Sequence, residues 1–291
     1  MDVDRDAPFP KPEITHGVSL PLFSKSVRDL QDPRNSARFE GTTKGLQYLL
    51  DELDRTIPKI FFFEGRTALY LSEEHPDLLT RIGKHTAIIG SHGMDHEDLL
   101  GTESKIPLSI DDGFEILAKG VQAVETAIGT KPKAFRAPYM RIEQALIEKL
   151  PRLGIWIDSS RYIETTKPPV PFCISDRPQS LFEIPIVKYP ETERKFIYLY
   201  LWSLFEQKRP LEDYIKVLYE LSQNERATET TGICLVNLHP WHLAYNIVEK
   251  RYLSNHEIEE NLMLLLTILG EISDTPEVKF QIPNYISGNK G

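Results

Sequence analysis

Two imidazoles stand four residues apart in His92-Gly-Met-Asp-His96, directly after the apolar run Thr86-Ala-Ile-Ile-Gly90. On a helix or in a tight strand-to-helix loop, positions i and i+4 share a face, so both rings can reach one ion. Neutral imidazole is a common ligand for zinc and its neighbours, and an open catalytic site often completes the set with a carboxylate and a water. The spacing alone also fits a polar turn, so its meaning depends on what else the chain holds. Three other segments carry chemically competent groups. The chain opens Met1-Asp2-Val3-Asp4, two acids flanking one apolar residue. Phe135-Arg-Ala-Pro-Tyr139 follows a Gly-Thr-Lys-Pro turn. The apolar run Ile233-Cys-Leu-Val-Asn-Leu238 ends in His239-Pro-Trp-His242. Taken singly, each has a plain structural reading: solvated terminal acids, a turn with a core aromatic, and a strand end before proline.

The elements that must position these groups alternate along the chain. Apolar runs predict strands over 59–63, 86–90, 134–136, 155–158, 181–187, 233–238 and 278–282. Helical spacing of apolar residues predicts helices over 42–54, 72–84, 110–128, 143–150, 195–207, 211–223 and 254–272. Thr42 or Thr43 is the expected cap of the first helix and Ser72 that of the second. Strands alternating with helices imply βα units and a mostly parallel sheet. In parallel β/α barrels, functional groups project from the carboxyl ends of strands. Asp2 and Asp4, His92 and His96, Arg136 to Tyr139, and His239 each fall at or just after an expected strand end. Residues 5–40 show little periodicity, and Pro8, Pro10, Pro12, Pro21 and Pro33 break any long helix there. A loop of this length is uncommon unless it serves as a lid or binding loop. Ile110-Asp-Asp-Gly113 opens an amphipathic helix, and its two acids read as N-terminal capping and dipole complements.

At 291 residues the chain fits one α/β barrel domain spanning 1–291. Its net charge of −9 argues against a nucleic-acid backbone as partner. Cys173 and Cys234 have no Cys-x-x-Cys spacing, so a thiolate metal site is not expected. No apolar leader and no run of membrane-spanning length is visible, which points to a cytoplasmic protein. The first acidic motif begins at residue 2, which leaves open whether the native chain extends upstream. Homo-oligomerisation is also left open.

In chain order, Asp-x-Asp, His-x-x-x-His, Arg-x-Pro-Tyr and Leu-His resemble the motifs of the polysaccharide deacetylases, the NodB-homology superfamily of carbohydrate esterase family four. The resemblance spans nearly the whole chain, and the segments 59–63, 154–160 and 182–185 fit it too. It implies an irregular (β/α) barrel of about seven parallel strands. It also implies a metal-dependent hydrolase that removes an N-acetyl or N-formyl group from an amino sugar or its conjugate. In that scheme Asp4, His92 and His96 hold one divalent ion, zinc first, with cobalt, nickel, manganese and iron also compatible. Asp2 takes a proton from the attacking water and His239 protonates the departing nitrogen. The backbone N–H of Tyr139 faces the oxyanion, and Arg136 pairs with Asp2. Asp158 stands behind Arg136 or His239, and Leu238 and Trp241 wall the acyl pocket. His242 is expected outside this set. The family's first motif is more often Asp-Asp than Asp-Val-Asp. The latter form occurs in a branch related to cytosolic deacetylases and sugar-lipid deformylases. Asp111 and Asp112 look like an Asp-Asp motif but follow the His pair instead of preceding it. The partner is then a small-molecule or glycan substrate, with neither nucleic acid nor membrane span. Two other readings stay open: a cyclic amide or imide hydrolase of allantoinase type, and a catalytically silent binding protein of the same fold.

Overall fold

The computed structural model describes residues 1–18, 38–55, 57–85, 87–175, 180–206, 208–225 and 232–273. The strand expected over 278–282 lies outside these residues, as does much of the 5–40 segment. In chain order the strands are β1 (Asp2–Val3), β2 (Phe9–Lys11), β3 (Thr15–Val18), β4 (Lys59–Phe63), β5 (Ala87–Ser91), β6 (Ala134–Phe135) and β7 (Ile157–Asp158). They continue as β8 (Tyr162–Glu164), β9 (Phe172–Ser175), β10 (Leu181–Glu183), β11 (Ile186–Thr192), β12 (Lys195–Tyr198), β13 (Tyr245–Asn246) and β14 (Arg251–Tyr252). The helices are α1 (Glu40–Glu52), α2 (Gly65–Glu74), α3 (Pro76–Ile82), α4 (Ile110–Ile128), α5 (Gln144–Ile147), α6 (Trp202–Phe205), α7 (Leu211–Glu225), α8 (Pro240–Ala244) and α9 (Asn255–Ser273).

A seven-stranded sheet runs β1-β4-β5-β6-β7-β10-β9. Its first six strands are mutually parallel, and β9 pairs antiparallel with β10. Beyond bends at 159–161 and 184–185, the chain of β7 and β10 goes on as β8 and β11, which pair again in parallel. β12 adds antiparallel to β11. Just past it, Tyr200 bridges Asn237 in parallel, and Leu238 O accepts the Asp2 N–H at 3.0 Å. The circuit therefore returns to β1, and the sheet closes as an irregular (β/α) barrel. The seam explains why 233–238 is not the regular strand its apolar run predicts. Among the described residues it makes one bridge and little ladder.

The packing follows the two-residue period of β4. Phe61 and Phe63 point outward into a cluster with Val3, Leu46, Leu50 and Leu71 from β1 and the covering helices. Phe62 points inward against Ala134, Ile157 and Ile184. Burying such a side chain contributes about 1.5–3 kcal/mol, which is why this strand is apolar on both faces.

Several helices differ from expectation for identifiable reasons. The 72–84 helix is two, because Pro76 has no N–H to continue a helix across His75. Ser72 is inside α2, where its hydroxyl donates to Leu69 O at 2.8 Å instead of capping. α1 starts at Glu40 without a local side-chain cap. Asp6, distant in sequence, accepts the Gly41 and Thr42 N–H groups, each at 2.7 Å. The 143–150 helix is the short α5 followed by a 3₁₀ turn at Leu150–Leu153. The 195–207 helix is β12 and then the single turn α6, because Lys195-Phe-Ile-Tyr198 pairs with β11. Residues 9–18 of the 5–40 segment form a hairpin of β2 and β3. Gly45 of α1 is required by close approach: a Cβ there would lie 1.9 Å from the Pro240 carbonyl oxygen, at the start of α8.

α4 keeps its expected bounds because both ends are marked. Ser109 accepts the Asp112 N–H at 3.1 Å within a capping box, and Gly129 ends the helix at φ 73°. Asp111 lies on the surface beside Lys149. The pair Asp111-Asp112 thus starts a helix. Ser109→Ala should lower unfolding stability by about 0.5–2 kcal/mol in a denaturant titration. Asp112→Asn should leave any turnover within a few-fold; a collapse of turnover would make these acids part of the chemistry.

Candidate functional site

β1 is held on one side by β4 and on the other by the seam at Leu238. Val3 faces outward, and Asp2 and Asp4 face the interior, both almost fully buried. Each carboxylate is satisfied differently. Asp2 Oδ1 accepts Arg136 Nη1–H at 2.8 Å, and Oδ2 accepts from Tyr200 Oη and Asn237 Nδ2, each at 3.0 Å. Burial pushes the Asp2 carboxyl up, but Arg136, with His92 and His239, outweighs it and holds the group well below the usual carboxylate range. Asp4 Oδ1 accepts His239 Nδ1–H at 2.9 Å and Trp241 Nε1–H at 3.1 Å. Asp4 is likewise held below the usual range, burial being outweighed by His239 and His96. Among the described residues its ion-pair partners are all histidines.

β5 delivers the His pair. The His92 N–H donates to Phe63 O at 2.7 Å, continuing the ladder one residue past the strand. His92 Nδ1–H donates to Arg136 O at 2.8 Å, which leaves Nε2 as the lone-pair nitrogen. Burial lowers His92 to about 4, so the ring is neutral. The chain then turns through Gly93 at φ 77° and reaches His96 at φ 56°. Glu97 closes this turn by accepting the Met94 and Asp95 N–H groups at 3.1 and 2.9 Å. The pair therefore sits on a strand-to-loop turn, not a helix. His96 Nε2 is 3.1 Å, and His92 Nε2 4.0 Å, from Asp4 Oδ2. The three candidate ligand atoms lie within 4.8 Å of one another. Asp4 Oδ2 and His92 Nε2 are buried with no hydrogen-bond partner. Two imidazole nitrogens and an orphaned carboxylate oxygen, converging out of water, fit a divalent cation.

Arg136 is clamped at three points. Besides Asp2, its Nε donates to Ser159 O at 2.9 Å and Nη2 to Ser159 Oγ at 2.8 Å, with the guanidinium 4.2 Å from the Phe62 ring centre. Its backbone leads into a turn where Tyr139 has φ 57°. The Tyr139 hydroxyl donates to Pro8 O at 2.9 Å, and its ring stands edge-on to His96. His239 caps the seam. Burial lowers its pKa, but the Asp4 carboxylate outweighs that and raises it.

These groups border one cavity of about 450 Å³, within the usual range for small-ligand pockets. Asp2, His92, His96, Tyr139, His239 and Trp241 line it. Two expectations need correction. Leu238 does not line the cavity; its side chain packs with Leu49, Ile186 and Leu199 in the core, because the seam turns it outward. Asp158 contacts neither Arg136 nor His239; its Oδ1 accepts from Ser160 Oγ at 2.6 Å, and Ser159 holds Arg136 in its place. His242 is buried in the cavity wall, its ring centre 5.1 Å from that of His239.

Tyr200 is the residue that sequence reasoning missed. Its hydroxyl contacts both Asp2 Oδ2 and His239 Nε2, joining the two acid–base candidates. It lies just past β12, a strand-end position hidden by the helical reading of 195–207. Tyr162, Trp202 and Glu206 on the cavity wall carried no motif signal either. Chemically, the site offers an ionised carboxylate, an imidazole of raised pKa and a candidate three-ligand cluster around one small volume. That set suits hydrolysis of an acyl bond.

Residues 40–156 match the family model of polysaccharide deacetylases. No curated protein matches the chain. Among solved structures, the chain is similar to a candidate polysaccharide deacetylase from Mycobacterium smegmatis, with TM-score 0.55 and 20% identity over 95% of this chain and 90% of that one. It is also similar to 4-α-glucanotransferase from Thermococcus litoralis, with TM-score 0.51 and 14% identity over 83% of this chain and 34% of that one. A family 4 carbohydrate esterase from Streptomyces lividans in complex with acetate gives TM-score 0.44 and 12% identity over 80% of this chain and 83% of that one. The first two likenesses speak to the fold, whereas the family match covers the segment bearing His92, His96, Arg136 and Tyr139. Residues 40–156 thus carry the polysaccharide deacetylase pattern, and over the rest of the chain the likeness to solved structures is one of fold.

Proposed function

We propose that the protein is a metal-dependent hydrolase that removes an N-acetyl or N-formyl group from an amino sugar or sugar conjugate. The observation that carries this reading is the state of Asp4: buried, without a lysine or arginine partner among the described residues, and with Oδ2 facing the nitrogens of His92 and His96. A buried carboxylate oxygen without a donor is costly, and a cation held by these three residues relieves it. When bound, that ion supplies an electrophile for the acyl oxygen and acidifies the attacking water.

The remaining chemistry belongs to side chains and backbone. Asp2, kept ionised by Arg136, takes the proton from the water. His239, its pKa raised by Asp4, gives a proton to the departing amine. Tyr200 holds the two in register through its single hydroxyl. The turn at Tyr139 offers a backbone N–H to the developing oxyanion. A sugar is favoured by the wall: Tyr162, Trp202 and Trp241 present apolar faces to a ring, and the Glu206 carboxylate can accept hydroxyl protons.

Elemental analysis of the purified protein should find a bound divalent ion, zinc first, that is lost in His92→Ala with the fold retained by circular dichroism. Equal metal content in both proteins would remove the ligand assignment. The pH profile of kcat/KM should be bell-shaped. Activity rises as Asp2 ionises, on a limb displaced to low pH by Arg136. It falls as pH rises through the raised His239 pKa. Asp2→Asn should lower kcat/KM by about 10²–10⁴-fold while metal is retained. His239→Ala should flatten the basic limb; an unchanged limb would transfer the acid role to His242. Release of acetate or formate from N-acylated amino sugars should exceed ring opening of cyclic ureides, and the reverse order would favour the cyclic-amide reading.

A further inference from the structure

Asp158 and Glu183 are both fully buried, and they lie opposite each other in the parallel register of β7 and β10. One oxygen of each has a donor. Asp158 Oδ1 accepts from Ser160 Oγ at 2.6 Å, and Glu183 Oε1 accepts the Arg161 N–H at 3.3 Å. The other two, Asp158 Oδ2 and Glu183 Oε2, receive no hydrogen bond among the described residues. Side chains paired across adjacent strands stand side by side on one face, so the two carboxyl groups neighbour each other out of water. Two carboxylates offer only acceptors, so neither can satisfy the other without a proton.

Counting hydrogens decides how many. With none, two anions stand side by side out of water. With two, one O–H has no acceptor. With one, all four oxygens are matched. The charged group facing the pair is Arg161, whose Nε stands 3.8 Å from Glu183 Oε2 on a side chain 41% exposed. Ser159 and Ser160 are uncharged, and the Arg136 guanidinium is taken up by Asp2 and Ser159. One part-solvated cation does not compensate two buried anions. Burial, and for Glu183 the charge of Asp158, push both groups above the usual carboxylate range.

We propose that Asp158 and Glu183 share a single proton and together act as positioning residues for the Arg136–Tyr139 turn. Ser160 donates its hydroxyl proton to Asp158, so its lone pair is free to accept the Ala137 N–H at 2.9 Å. Ser159 donates to Ile184 O at 2.7 Å and accepts from Arg136. Residues 158–160 thereby fix both the partner of Asp2 and the turn that carries the oxyanion donor. The effect on turnover rests on the proposed hydrolysis; the shared proton does not.

Infrared spectra at neutral pH should contain a protonated-carboxyl C=O band that disappears in both Asp158→Asn and Glu183→Gln. In each variant an amide N–H replaces the shared proton and donates to the remaining carboxylate, so the fold and the turn persist. Stability of the native protein should fall as pH rises through the raised pKa, because the folded state holds a proton that the unfolded chain has released. Asp158→Asn should remove that alkaline loss. Asp158→Ala should lower kcat about 10–100-fold with KM little changed, whereas Asp158→Asn stays within a few-fold. A carboxyl band unaffected by both amide variants, or an alkaline loss equal in native protein and Asp158→Asn, would overturn the shared proton. Loss of turnover as deep in Asp158→Asn as in Asp158→Ala would overturn the positioning role. If the native protein cleaves no N-acyl sugar, the infrared and unfolding measurements still decide the proton.

Discussion

The carboxylate of Asp4 is the point on which the site depends. Other buried acids nearby have a cation: Asp2 has Arg136, and Glu64 has Arg5. Asp4 has neither lysine nor arginine among the described residues, only imidazoles. Desolvating a carboxylate costs several kcal/mol, so the surrounding chain must answer for it. Oδ1 is answered by Trp241 and His239 from the seam. Oδ2 is left facing His92 and His96. One side chain thus orients the acid candidate with one oxygen and opens the candidate metal cluster with the other.

The five residues from Asp2 to Asp6 are pinned in alternation. Asp2 and Asp4 turn into the site, and Asp6 caps α1. Val3 enters the outer core. Arg5 donates Nε–H to Glu64 Oε1 at 2.6 Å and Nη2–H to Asp95 Oδ1 at 2.8 Å. Asp95 lies in the turn that carries His96, and Arg66 binds it from α2. Arg5 therefore couples the acidic segment to the histidine turn, so the two sources of ligand atoms are held to one another as well as to the sheet. Preorganisation of this kind is what lets three ligand groups meet without reordering at the moment of binding.

Much of the arrangement was legible where the signal was local. The bounds of α4 follow from Ser109 and Gly129, and β4 and β5 follow from their apolar runs. The spacing of His92 and His96, and their place after a strand, sufficed to bring them together. What was hidden depends on partners far away in the chain. α1 is capped by Asp6, not by Thr42 or Thr43. Residues 195–198 are a strand because β11 is beside them. Tyr200, Asn237 and Ser159 acquire their roles only through barrel closure and the Arg136 clamp. Asp158 was readable as an acid near a strand end, but its partner Glu183 is set by the register of β7 and β10.

The proposed convergence of Asp4, His92 and His96 on one cation is tested most directly by X-ray absorption at the edge of the metal that the purified protein carries. The expected spectrum has imidazole scattering from two nitrogens at about 2.0–2.1 Å together with a carboxylate oxygen. Replacing His96 by Ala should remove one imidazole contribution and leave the other. An all-oxygen shell without imidazole scattering, or a spectrum unchanged by that replacement, would contradict the assignment.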